Sequence, residues 1–406
     1  MKRMLGLLTM GLFLLCGCVP EEDVYWEQPS AQITPMLPEP AETVPDAVPV
    51  RAVWIPVMHY GDWMTGQTEE AFRTKMQAVF AECAAFGLNT VFLHVRAYAD
   101  AYYDSALFPR GAYLTGSYDP LAVMTQAAHE AGLAVHAWIN PLRCQTASQL
   151  AALDRQYTLR QWYDDDTRNG TRLVCVDGRY WLNPAYAEVR ELVADGVAEI
   201  LTQYDVEGIH IDDYFYPTQE ESFDAAAFAG SDAADLGDFR RANCDALVQT
   251  LYDTVKAHDP DCIFSISPQG NLDAGYDTLY ADAGKWASEP GYCDWMIPQL
   301  YYGFENGTCP FEPTLHRWET LAGHARLIVG LAPYKIGAND PWAGSGADEW
   351  QTADDVLSRE TALVLAEEAV DGVAFYSFQT LFAPAADVAE AVTAERSRIG
   401  ALLQTE

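Results

Sequence analysis

Eight times along this chain, a short run of β-branched and aromatic residues gives way to a longer stretch with apolar residues at helical spacing. Parallel strands joined by covering helices are the economical way to bury such a pattern. The strand-like runs fall at residues 51–57, 89–96, 134–141, 206–217, 263–269, 293–302, 326–334 and 372–379. The helical patterns fall at 69–86, 121–131, 185–204, 235–258, 276–287, 313–324, 352–368 and 386–399. The first helix is typical: Phe72, Met76, Val79, Phe80 and Cys83 share one face, and Gly87 follows as a residue able to take positive φ. Eight such units predict an α/β fold, the (β/α)8 TIM barrel, over residues 49–400, with an insertion at 142–183 that breaks the rhythm. An open doubly wound sheet is the alternative, but no G-x-G-x-x-G follows the first strand. Nothing in the pattern indicates a second domain.

Ahead of the barrel lies a targeting segment. Lys2 and Arg3 precede an apolar stretch at 5–15 that is too short to span a bilayer comfortably, and Leu15-Cys16-Gly17-Cys18 follows. This resembles a bacterial lipoprotein signal, so residues 1–18 are expected to be a signal peptide with lipidation at Cys18. Residues 19–48 are rich in Pro and Glu and are expected to be a semi-rigid tether. The expected location is extracytoplasmic, on the membrane through the lipid.

Lys plus Arg number 24 against 59 Asp plus Glu, a net charge of −35, which disfavours nucleic acid as a partner and suits a neutral ligand such as a sugar chain. Seven cysteines remain after the signal, none in a C-x-x-C pair, so neither a zinc ribbon nor a redox motif is indicated. Their odd number leaves at least one free thiol. Cys83 and Cys244 read as small core residues, and Cys144 with Cys175 is the pair placed to bridge within the insertion.

The stretch V-E-G-I-H-I-D-D-Y-F-Y-P at 206–217 sets the chemistry. Ile209 and Ile211 alternate with His210 and Asp212, and Asp213 follows at the strand end. Two adjacent carboxylates there imply solvent, partners or a job. In a barrel the site lies at the carboxyl ends of the strands, on the inward face. Alternation sends His94 and Arg96 inward from the second strand, and Trp138 and Asn140 from the third, with His136 deeper. His210 and Asp212 point in from the fourth strand with Tyr214 beyond, and Gln299 and Tyr301 from the sixth.

A glycosidase needs two carboxyl groups flanking the scissile bond, hydrogen-bonding groups for hydroxyls and flat aromatic faces. Asp212 is expected to be the key carboxylate, because it faces inward. Asp213 is the second carboxyl or the group that orients the first, and Glu305, just after the sixth strand, is the alternative acid. Arg96, Asn140, His94, His210 and Gln299 are expected to bind hydroxyls, with Arg96 as an ion-pair partner for Asp212. Trp54, Trp138, Tyr214, Tyr216, Tyr301 and Tyr302 are expected to supply sugar-stacking faces. Three inward histidines and Asp212 raise a metal reading, as in barrel amidohydrolases. The first strand has no H-x-H and the fourth ends in no lysine, so no metal or cofactor is expected.

Several ordered motifs resemble the glycosyl-hydrolase-like 10 family, formerly domain of unknown function 187. They are Y-L-T-G-S-Y-D-P-L from Tyr113, G-L-A-V-H-A-W-I-N-P from Gly132, Y-W-L-N-P from Tyr180, D-V-E-G-I-H-I-D-D-Y-F-Y-P from Asp205, I-P-Q-L-Y-Y and G-L-A-P-Y-K-I-G. The resemblance implies a TIM-barrel glycosidase-like fold, often on exported lipoproteins, linked to cutting peptidoglycan strands stripped of stem peptides. It carries Asp212 and Asp213 over as the carboxylates, and Arg96, Asn140 and Gln299 as groove residues. A non-catalytic glycan-binding surface lipoprotein is the contrasting expectation.

Overall fold

The computed structural model describes residues 48–404. The expected signal peptide, Cys18 and nearly all of the tether lie outside those residues. The strands are β1 (Val50–Ile55), β2 (Thr90–Arg96), β3 (Ala134–Ile139), β4 (Arg143–Thr146), β5 (Leu173–Val176), β6 (Arg179–Leu182), β7 (Gly208–Ile211), β8 (Ile263–Ile266), β9 (Trp295–Met296), β10 (Arg326–Leu331) and β11 (Gly372–Phe375). Eight of them close into a parallel barrel in the order β1-β11-β10-β9-β8-β7-β3-β2. This is the TIM barrel that the alternating pattern predicts.

Local chemistry explains the elements that frame the site. The helix Glu69–Phe86 starts where the Thr68 hydroxyl accepts from the Ala71 amide, and it ends at Gly87 with φ 99°. The helix expected at 276–287 is two pieces, Leu272–Thr278 and Ala283–Ser288. Tyr280, at φ 57°, turns the chain between them, and Asp282 caps the second. The sixth barrel strand is only two residues long because Pro298 cannot donate to a ladder. Pairing resumes at Gln299, which bridges both Gln269 and Gly330.

Two cores divide the apolar residues. One fills the space between barrel and helices. The other fills the barrel itself and includes Val50, Ala52, Trp54, Phe92, Trp138, Trp295 and Ile297. His136 and His210 belong to this inner filling. The Trp54 indole donates to His210 Nε2 (3.0 Å), and the His210 Nδ1 lies 2.9 Å from the Ser265 hydroxyl. His136 stacks on Trp295 at 4.8 Å. Gly208 is needed here, since a Cβ at that position would come within 2.6 Å of the His136 ring. The glycine of the V-E-G-I-H-I-D-D run is thus the space in which a buried imidazole sits.

The insertion is an ordered structure, not a loop. It holds the antiparallel sheet β4-β6-β5 and two short helices, Ala147–Ala152 and Thr158–Asp164. Asp177 and Gly178, both at positive φ, turn β5 into β6, as a two-residue hairpin of mirror-image type requires. All seven cysteines among the described residues are free thiols, so the expected Cys144–Cys175 bridge does not form. Cys144 lies on β4 and Cys175 on β5, with β6 between them. Two strand spacings put such positions roughly 9–10 Å apart, beyond disulfide reach.

Candidate active site

The carboxyl ends of the strands open into a cavity of about 370 Å³. Asp212 and Asp213 stand in its wall together with His94, Trp138, Gln299, Tyr301, Tyr334 and Tyr376. A second cavity of about 330 Å³ adjoins it and shares Asp213, Gln299, Tyr301 and Tyr334. The two together form a groove, with Asp213 at the junction and Asp212 beside it in the first cavity. Trp342, 86% exposed, stands at the outer end of the second cavity.

A chain of hydrogen bonds reaches Asp212 from β1's side of the barrel. The Val57 amide donates to His94 Nδ1 (3.5 Å), which leaves the ring proton on Nε2. Nε2 is bonded to the Asn140 side-chain oxygen. This fixes the amide so that its nitrogen donates to both Asp212 oxygens, at 2.6 and 2.8 Å. Trp138 stacks flat on the His94 ring, 3.7 Å away with 12° between planes. Burial pushes the His94 pKa down to about 3, so the ring is neutral across ordinary pH, as a donor–acceptor relay needs.

The aspartates behave as a pair. Burial holds Asp212 well above the usual carboxylate range, and repulsion from Asp213 adds to it. Burial raises Asp213 as well, with hydrogen bonding from Gln299 acting against the rise. Two such groups lose their protons in separate steps. Between those steps one carboxylate and one carboxylic acid coexist. Burial and the neighbouring charge weigh more on Asp212, and Gln299 favours ionised Asp213. Against these, the paired donors of Asn140 at 2.6 and 2.8 Å engage both Asp212 oxygens, and on that geometry Asp212 is taken as the charged member.

Most of the expected residues meet at this groove: Asp212, Asp213, His94, Trp138, Tyr214, Gln299 and Tyr301 line it, and Asn140 stands directly behind Asp212. Four expectations do not hold. Arg96 points away from the cavity and packs over Phe108 at 4.4 Å, donating to the Val193 carbonyl at 3.3 Å. The register between β2 and β3 shifts between His94 and Arg96, so the alternation slips by one and the arginine turns to the helix side. Gly196 makes room for it there, since a Cβ would meet its guanidinium.

Glu305 is exposed and lines neither cavity. The buried Glu349 carboxylate accepts the Phe304 and Glu305 amides (3.1 and 2.9 Å), which pins the backbone and leaves the Glu305 side chain outside. His210 lies one layer too deep to touch a ligand. Tyr216 is buried against Phe223 and Tyr280.

Arg143, on β4, was not among the expected residues. It lines the cavity and its charge draws down the proton affinity of both aspartates, the part assigned to Arg96 from sequence. Tyr376 was also missed, although strand parity with Ala374 places it on the inward face.

Residues 49–343 match the model of the family described as glycosyl hydrolase-like 10. The chain belongs to that family. Glycosyl hydrolase YngK of Bacillus subtilis (strain 168) is 32% identical over 328 residues, covering 72% of this chain and 63% of that protein. The chain thus spans less than two-thirds of that relative's length. Glycosyl hydrolase DigH of Escherichia coli is 29% identical over 362 residues, 80% of this chain and 81% of the relative. Among solved structures, the glycoside hydrolase domain of PgaB (BpsB) from Bordetella bronchiseptica superposes with a TM-score of 0.57 at 13% identity. It covers 87% of this chain and 99% of that one. The catalytic domain of a β-amylase from Paenibacillus polymyxa gives 0.55 at 10% identity, over 88% and 100%. At such identities the likeness shows the barrel fold alone.

Proposed function

We propose that this protein is a glycoside hydrolase that cuts within a polysaccharide lying along the groove, with Asp212 and Asp213 as the reacting carboxyl pair. The observation that carries this reading is an adjacent aspartate pair, Asp212 buried and Asp213 half-buried, in the wall of one aromatic-lined cavity, with Asp213 shared by a second cavity beside it. Membership of a glycosyl hydrolase-like family supports it. Asp212, held ionised by Asn140, stabilises the positive charge that develops at the anomeric carbon. The proton retained by the pair goes to the departing oxygen as the glycosidic bond breaks, and water supplies the new bond to the anomeric carbon and returns a proton to the pair. Tyr301 and Tyr376 offer faces for the apolar sides of sugar rings, and Gln299 offers hydroxyl contacts.

The substrate proposed is the glycan of the bacterial cell wall, in strands stripped of their stem peptides. The protein is proposed to act outside the cytoplasm, held to the membrane by a lipid on Cys18. The test is incubation of the full chain, and of Asp212→Asn, with peptide-free wall strands, reading product masses for new reducing ends. Products from the wild type alone are expected. Binding without cleavage by both proteins would instead make this a glycan-binding surface protein.

A further inference from the structure

The insertion carries six arginines, and five are committed within the protein. Arg155 and Arg160 reach Asp164, Arg168 pairs with Asp165, and Arg172 with Glu188. Arg179 donates to the Cys144 carbonyl at 2.8 Å. Arg143 differs. No carboxylate among the described residues comes within ion-pairing distance of it, and its Nε is buried without a hydrogen-bond partner. Yet it is held in place. The Tyr214 ring centre lies 4.0 Å from its guanidinium carbon and the Tyr98 ring centre 4.7 Å. Arg179 packs on Tyr98 in turn at 4.1 Å. Pairing of Arg143 with Trp181 across β4 and β6 sets the direction from which it enters the catalytic cavity.

A guanidinium flanked by aromatic rings keeps the donors on its planar edge, and that edge matches a carboxylate in two parallel hydrogen bonds. In a chain with net charge −35, Arg143 lines the catalytic cavity, where its charge acts on the aspartates at a distance while its donors make no ion-pair contact among the described residues.

We propose that Arg143 is a specificity residue that binds a carboxylate on the sugar chain, so that the preferred substrate is an acidic glycan. This rests on the hydrolase reading above and deepens it. A wall strand that has lost its peptides carries a free carboxylate at each point where a peptide was joined by an amide bond. A strand still bearing peptides has no charge at that point. Arg143 thus tells one from the other by the anion, not by bulk alone.

The experiment compares peptide-free strands with the same strands after their carboxylates are converted to methylamides, using full-length wild type, Arg143→Gln and Arg143→Lys. The readout is the ratio of kcat/KM on the two substrates within each protein. That ratio cancels the effect of Arg143 on the proton affinity of the aspartates, which acts equally on both substrates. The wild type is expected to favour the charged strand roughly 10- to 100-fold. The ratio is expected to approach one in Arg143→Gln and to be partly kept in Arg143→Lys, which restores charge without the planar fork. Equal rates by wild type on both strands, or an undiminished preference in Arg143→Gln, overturns the proposal. If the wild type cleaves neither strand, the hydrolase reading falls. Calorimetric binding of the two strands then decides: tighter binding of the charged strand, lost in Arg143→Gln, upholds the carboxylate contact, and equal binding overturns it.

Discussion

Asn140→Ala removes the one side chain that donates to both oxygens of Asp212, at 2.6 and 2.8 Å. A hydrogen bond to a charged group is worth about 1.5–3 kcal/mol net. One pKa unit corresponds to about 1.4 kcal/mol, so its loss should raise the first ionisation of the pair by about 1–2 units. The sign follows from the donor stabilising only the ionised carboxylate: without it, Asp212 holds its proton to higher pH. The acid limb of the kcat/KM profile therefore moves up by about 1–2 pH units. Activity falls roughly 10- to 100-fold below the limb and little above it. The assay is a pH–rate profile on peptide-free strands for wild type and variant, with thermal melting to confirm that the barrel is intact. A profile of unchanged shape, merely scaled down, would refute the assignment of Asp212 as the charged member.

Trp342→Ala should raise KM for long strands roughly threefold to tenfold and leave the shortest cleavable oligosaccharide unaffected, since the exposed ring stands at the outer end of the second cavity. A chain-length series measures this, and a uniform loss at all lengths counts against a groove. Glu305→Gln should leave kcat/KM within about twofold, and a collapse in rate would restore it as the acid. Burial lowers the His136 pKa from 6.5 to about 3. The unfolded chain therefore takes up a proton first as pH falls, and the stability from this neutral ring, full above 6.5, is lost toward 3. Denaturant titrations should show the gap between wild type and His136→Gln narrowing by up to about 3 kcal/mol between pH 6.5 and about 4.5, at two units of about 1.4 each. A constant gap would contradict burial as the cause.

The barrel was legible because each parallel strand, covered on both faces, leaves a strong apolar run, and each helix leaves its own period. Strand parity was enough to bring Asp212, Asn140, His94 and Trp138 to one mouth. It failed at Arg96, where the register shift beside it changes the parity with no mark in the residues themselves. It failed for depth at His210, since alternation gives the face of a strand but not the layer of the barrel. The insertion held a readable signal that its polar composition masked. Asp177-Gly178 between two short β-prone runs is a hairpin signature, and following it would have led to β6 and from there to Arg143.

On the proposed reading, the bond-breaking carboxyl pair and the substrate-sorting Arg143 come from separate stretches of polypeptide. The aspartate pair and its relay come from the barrel strands and their ends, whereas Arg143 and Arg179 come from a sheet inserted between β3 and the next barrel strand, β7. That sheet has its own hairpin and its own ion pairs. It is therefore a cassette. Exchange of residues 142–183 between relatives should transplant a preference for one polymer onto the same aspartate pair, retuned only through the charge at position 143, so that diversification in this architecture proceeds by swapping a wall while the carboxyl groups stay in place.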